Sequence, residues 1–234
     1  MAKHPIGARA RRGLAGLALV LGLASGVARA DSAPEAAAAW ERGDLAAARA
    51  IWQGLAAAGE GAALFNLGVL ADTPPDGTAR DPVAALGQYR AAAAAGFMPA
   101  FYNIGVLLLE GDSPVAADRA AALEALREGA RAGDILAQMR LGEVLSAPDA
   151  PEGAAGAAEG TEWFLRAAEA KYAPAQFAVS MAYALGRGVD VDLDLAALWA
   201  ERAEVTQMMS GDIAYCTPES AALLARCRRQ TPQY

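Results

Sequence analysis

Carboxylates are the one chemically versatile group this chain has in quantity: 27 Asp and Glu against one histidine and two cysteines in 234 residues. Paired acids can work as general acid and base at a glycosidic bond when they flank it. Glu124 and Glu128 are such a pair by spacing, but they stand one turn apart on an alanine-rich run, which reads as a solvated helix face. Asp190, Asp192 and Asp194 in "DVDLD" resemble the opening of a calcium loop, with Glu201 at its twelfth position. Leu195 occupies the sixth position, where such a loop needs glycine for its turn. The single histidine, His4, lies in an N-terminal basic segment, so the chain beyond it has no imidazole for a catalytic triad or a zinc site. No Ser-x-x-Lys motif is present. No cofactor, metal ion or catalytic residue is expected.

The first thirty residues have the three-part pattern of a secretory signal peptide. Lys3, Arg9, Arg11 and Arg12 form a basic head, an apolar run follows from Leu14 to Val27, and Ala28-Arg29-Ala30 is a small-x-small cleavage site before Asp31. The apolar run is shorter than the ~20 residues of a membrane-spanning helix. Arg11-Arg12 leaves two export routes open. A periplasmic or secreted location is expected, with no membrane insertion once the leader is cut. Five basic residues leave with it and no acid does, so the remaining chain carries 15 basic and 27 acidic residues. That surface repels phosphate backbones and disfavours nucleic acid; it suits a protein or peptide partner in the envelope.

Cys216 and Cys227 would sit in a compartment that permits disulfides. The segment Thr217–Cys227 reads as a helix with a threonine cap and Pro218 in its first turn. Eleven helical residues separate the two by roughly 16 Å, against the ~7 Å limit between bridged alpha carbons. An oxidising compartment favours the bridge and helical geometry opposes it, and the pairing stays open.

The elements behind these residues repeat. "ALFNLGVLA" at Ala63 returns as "AFYNIGVLL" at Ala100, "AQMRLGEVL" at Ala137 and "AQFAVSMAY" at Ala175, at intervals of 37, 37 and 38 residues. A fixed period of this length marks stacked helix pairs. Four residues before each alanine stand Gly59, Gly96, Gly133 and Lys171, at the end of the preceding helix, where a left-handed residue is wanted. Asp44, Asp81, Asp118 and Asp192 precede the alanine-rich second helices and read as N-caps. Gly68, Gly105 and Gly142 fall inside the first helices, each costing ~1 kcal/mol against alanine. Close approach of the second helix is the expected offset. The pattern predicts helices over 34–42, 44–58, 61–72, 81–95, 98–110, 116–132, 135–146, 157–171, 173–185, 192–206 and 217–228.

"GRGVDVDLDLAALWAERA", with Gly186-x-Gly188-Val189, Asp192, Ala196, Trp199 and Ala203, resembles the Sel-like (Sel-one-like) repeats of the tetratricopeptide superfamily, here an exported bacterial member. "NLG" at Asn66–Gly68 and "NIG" at Asn103–Gly105 match the first half of that pattern, and the resemblance spans Pro34 to Val205. The chain departs from it at "APDAPEGAAGAAEG" and in the short turn Gly43-Asp44. The resemblance implies an all-α, right-handed α-solenoid of about five antiparallel helix pairs over 31–206, with 207–234 as a C-terminal capping helix or tail. It also implies a non-catalytic scaffold that holds other proteins, with a regulatory role possible to such members. Disulfide-rich relatives are linked to cell-wall or β-lactam hydrolysis, but they carry cysteines in each repeat and this chain has none over Asp31–Tyr215. An oligomeric structural adaptor is the remaining alternative.

Asn66, Asn103 and Arg140 hold one equivalent position in three successive first helices. They are candidates for a polar ladder along the concave face, against a local structural role for the asparagines. Phe65, Tyr102, Met139 and Phe177, one position earlier, read as core filling between repeats, with a groove for an apolar peptide as the alternative.

Overall fold

The computed structural model describes residues 32–111 and 114–210. The expected signal peptide, the two cysteines and the expected helix 217–228 lie outside the described residues. Among those described, ten α-helices and no strand are found. They run α1 (Ser32–Glu41), α2 (Leu45–Ala57), α3 (Gly61–Asp72), α4 (Pro82–Ala94), α5 (Ala100–Glu110), α6 (Arg119–Arg131), α7 (Ile135–Leu145), α8 (Gly153–Glu169), α9 (Ala173–Leu185) and α10 (Leu193–Ser210). Each odd-numbered helix packs most closely on the next, giving five pairs, and each pair then packs on its neighbour. The α5 and α7 helices also touch directly across repeats. No two second helices pack as closely as that.

The turns that chain the pairs together are set locally. Gly59, Gly96 and Gly133 have φ of 85°, 84° and 90°, and Lys171 takes the same left-handed conformation at 61°. The amide one residue later then donates back to the preceding second helix: Glu60 to Leu55 O, Phe97 to Ala92 O, Asp134 to Gly129 O and Tyr172 to Ala167 O, at 2.9–3.2 Å. These bonds satisfy carbonyls the helix end would leave bare. At the other end, the carboxylates of Asp44, Asp81, Asp118 and Asp192 accept the amides of Ala47, Ala84, Ala121 and Leu195 at 2.9–3.0 Å.

Inside each pair, the first-helix glycine makes room for one large side chain. A β-carbon on Gly68 would sit 2.7 Å from the Tyr89 ring, one on Gly105 2.5 Å from Leu126 Cγ, and one on Gly142 2.5 Å from the Phe164 ring. The offset for a glycine in mid-helix is therefore a buried ring or leucine lying against bare backbone. In the last pair the partner position is Ala200, and the glycine position holds Ser180, whose hydroxyl donates to Ala196 O at 2.7 Å. Two buried glutamines add a further repeated tie. Gln138 Nε2 donates to Ala130 O and Gln176 Nε2 to Ala168 O, fastening each first helix to the helix before it.

The helix α8 begins at Gly153, four residues before the sequence pattern places it, with an ion pair from α6 on the residue just before that start. Arg119 of α6 makes a two-pronged contact with Glu152 at 2.6 and 3.0 Å, and Arg127 grips Glu159 in the same way at 2.8 and 2.9 Å. Thr161 then donates to Arg187 O at 2.9 Å, and Gly188 packs on the α8 backbone at Ala157, binding the α9–α10 turn to α8. The final helix α10 runs to Ser210, four residues past its expected end.

Candidate functional site

On the face made by the first helices, α5, α7 and α9 enclose a groove. It consists of two adjoining hollows of about 360 and 310 Å³ that share Glu143, Ala178 and Met181. Tyr102 comes from α5; Leu136, Met139 and Arg140 from α7; Tyr172, Pro174, Phe177 and Met181 from the start and body of α9. The second hollow continues past Ser146 and Pro148 to Arg187. Its walls are aromatic rings and methionines, which adapt to irregular apolar shapes. Its polar groups are few: Arg140 Nη1 lies 3.1 Å from Glu143 Oε2, and Arg187 is exposed at the far end. A concave, mostly apolar surface with a few placed polar groups is what ligand sites share.

Of the groove helices, α7 and α9 are fixed from below. Ala137 and Ala175 are fully buried at the pair interfaces, and Leu141 and Val179 are equally buried on the side facing the second helices. The Asp134 carboxylate caps α7 by accepting the Ala137 amide at 2.8 Å. Burial holds the Asp134 carboxyl above its ordinary value, partly offset by that amide. On the outer face, the hydrogen bonds from Arg127 and Arg119 hold the carboxyls of Glu159 and Glu152 below the usual range. The guanidiniums are shifted upward in turn by the same bonds.

Of the three polar positions on the first helices, Arg140 lines the groove, while Asn66 on α3 and Asn103 on α5 lie outside its lining. All three are half-buried. The apolar stripe requires a correction. Phe65 is packed between Tyr89 and Phe97, with ring centroids 5.5 and 5.0 Å away, as core filling requires. Tyr102, Met139 and Phe177 instead present one side to the groove. Leu136, Glu143, Tyr172 and Met181 were not singled out from sequence. For Glu143 and Met181 the signal is the i+4 spacing that carries the stripe from Met139 to Glu143 and from Phe177 to Met181.

Among the described residues no cluster of three or more metal-ligating side chains comes together. Asp192 is engaged as the α10 cap. Glu124 and Glu128 are exposed on α6, with Arg131 at 4.0 and 2.6 Å, an ion-paired helix surface. Among the described residues no helix is long and apolar enough to cross a membrane.

No protein-family model and no curated protein matches the chain. Solved structures do. A protective antigen of uropathogenic Escherichia coli that displays an SLR fold is 22% identical with a TM-score of 0.61, over 80% of this chain and 52% of that one. The chain thus spans about half the length of that antigen. A Sel1 repeat protein from Oxalobacter formigenes is 22% identical with a TM-score of 0.59, over 80% and 78% of the two chains. An immunity protein from Pseudomonas aeruginosa is 21% identical with a TM-score of 0.52, over 88% and 80%. The chain folds as an all-α solenoid of Sel1-like repeats.

Proposed function

We propose that this protein is an exported, non-catalytic scaffold of the bacterial envelope that docks a segment of a partner protein in this groove. The carrying observation is the groove itself, where Tyr102, Met139, Phe177 and Met181 offer apolar anchor sites around the Arg140–Glu143 pair. An apolar peptide would bury its side chains between α7 and α9, and its backbone or a carboxylate would meet Arg140. Asn103 and Asn66 extend the same line of polar groups toward α3. Most binding energy then comes from a few buried anchors, and a solenoid ordered beforehand loses little entropy on docking. The basic head and apolar run of residues 1–30 support export, with the partner in the periplasm or outside the cell. The relatives named above are an antigen, a repeat protein and an immunity protein, and the Sel1-like fold is one used to hold proteins.

The test is affinity capture from envelope extract by the exported chain, beside an Asn66→Ala/Asn103→Ala/Arg140→Ala variant shown to be folded by circular dichroism. A partner held by the wild type and lost by the variant supports the reading. Equal retention removes the polar line Asn66–Asn103–Arg140 from the contact, and loss of the partner on Phe177→Glu is then needed to keep the site in the groove. Turnover of a β-lactam or of muropeptides that survives repurification would overturn the non-catalytic assignment.

A further inference from the structure

The outermost positions of the second helices break their pattern once. Six residues after Asp44, Asp81, Asp118, Gly156 and Asp192, which share one position in the repeat, stand Ala50, Gly87, Glu124, Glu162 and Leu198, and thirteen after them stand Ala57, Ala94, Arg131, Glu169 and Val205. All ten are exposed. In α2, α4, α6 and α8 they are small or charged, as a solvated face should be. In α10 they are large and apolar, 41% exposed at Leu198 and 51% at Val205. Met209 continues the line at 84%. Positions i, i+7 and i+11 fall within a narrow sector of a 3.6-residue helix, so the three make one stripe roughly 16 Å long.

Acids flank the stripe. Asp190 and Asp194 are exposed at the start of α10, and Glu201 and Glu204 run along one side. The chain beyond Ser210 is the complement in length and charge. It reaches 24 residues to Tyr234, and residues 220–234 carry Arg226, Arg228 and Arg229 with no acid. Its Thr217–Cys227 stretch has the sequence of a capped amphipathic helix, with Leu223 and Leu224 on it and a length of roughly 16 Å if helical. Gly211–Cys216 is six residues, within the usual length of a connection between antiparallel helices.

We propose that the chain's own C-terminal segment, residues 217–229, folds back antiparallel along α10 and covers the Leu198–Val205–Met209 stripe. In that direction its N-terminal cap lies near Met209 and its arginines arrive beside Asp190, Asp194 and Glu201. The α10 helix thus has a fitted cover on its outer face, separate from the groove of the first helices.

Timed trypsin digestion of the purified protein tests this, because the enzyme cuts after Arg226, Arg228 and Arg229. Two variants run beside the wild type: Leu198→Glu/Val205→Glu, which spoils the stripe, and Asp190→Asn/Asp194→Asn, which removes charge at exposed residues without adding a cleavage site. The proposal expects tail cleavage to speed up by about tenfold or more in the first variant and severalfold in the second, with cleavage in the wild type accelerated by salt. Equal cleavage in all three overturns it. So does a wild-type dimer in sedimentation that Leu198→Glu/Val205→Glu dissociates, since a second copy would then occupy the stripe.

Discussion

The hydroxyl of Ser180 donates to the carbonyl of Ala196 at 2.7 Å, from the position that glycine holds in the three preceding repeats. The exchange works because the partner residue on the second helix is Ala200 there, where the earlier repeats present Tyr89, Leu126 or Phe164. Size on one helix and absence of size on the other vary together. Gly105→Ala should therefore destabilise the fold by about 1–3 kcal/mol despite alanine's better helix propensity, because its methyl would meet Leu126. Gly105→Ala combined with Leu126→Ala should not repeat that clash, although it loses leucine burial. Urea unfolding of the two variants measures the coupling, and strict additivity would contradict this packing account.

Lys171 is the one described non-glycine residue in a left-handed conformation. Its side chain is exposed, so replacing it sacrifices little contact. Lys171→Gly should raise stability by about 0.5–1 kcal/mol, the steric relief being reduced by glycine's greater freedom when unfolded. Thermal unfolding checks the sign.

The two Arg–Glu pairs that reach from α6 to α8 make a pH prediction. Glu159 and Glu152 have carboxyls held below their ordinary range by hydrogen bonds from Arg127 and Arg119. A depressed acid adds stability above its unfolded pKa and loses it as pH falls through the folded value. Glu159→Gln should cost no more than about 1 kcal/mol at neutral pH, since both partners keep contact with water. That cost should vanish on acidification, seen as converging melting temperatures of variant and wild type.

Asp134 moves the other way. Its carboxyl is raised by burial, so its ionised form weakens the fold near neutrality even as it caps α7. Asparagine keeps a capping oxygen without the charge. Asp134→Asn should be at least as stable as wild type at neutral pH, with the gap closing as pH falls through the raised value. Asp134→Ala should lose about 1 kcal/mol. Melting curves across pH for both variants decide this.

The period, the aspartate caps and the left-handed glycines were legible in the sequence because each acts within a few residues of itself. Ala63, Ala100, Ala137 and Ala175 fixed the stacking of four first helices. The start of α8 was not legible, since "APDAPEG" reads as loop and Glu152 is recruited by Arg119 from 33 residues away. The groove was hidden for a related reason. Met139 and Phe177 have the spacing of core residues, and whether their outer sides meet a neighbour depends on how far α7 and α9 splay. Asn66, Asn103 and Arg140 share a sequence register but divide in space, with Arg140 alone in the lining.

The measurement that bears most directly on the groove is site-specific photocrosslinking in envelope extract, with the reactive side chain placed at Met139 in one sample and at Glu162, exposed on the outer side of α8, in the other. The account predicts a discrete partner adduct from position 139 that Phe177→Glu abolishes, and none from position 162. An adduct formed from position 162 but not from 139 would contradict it.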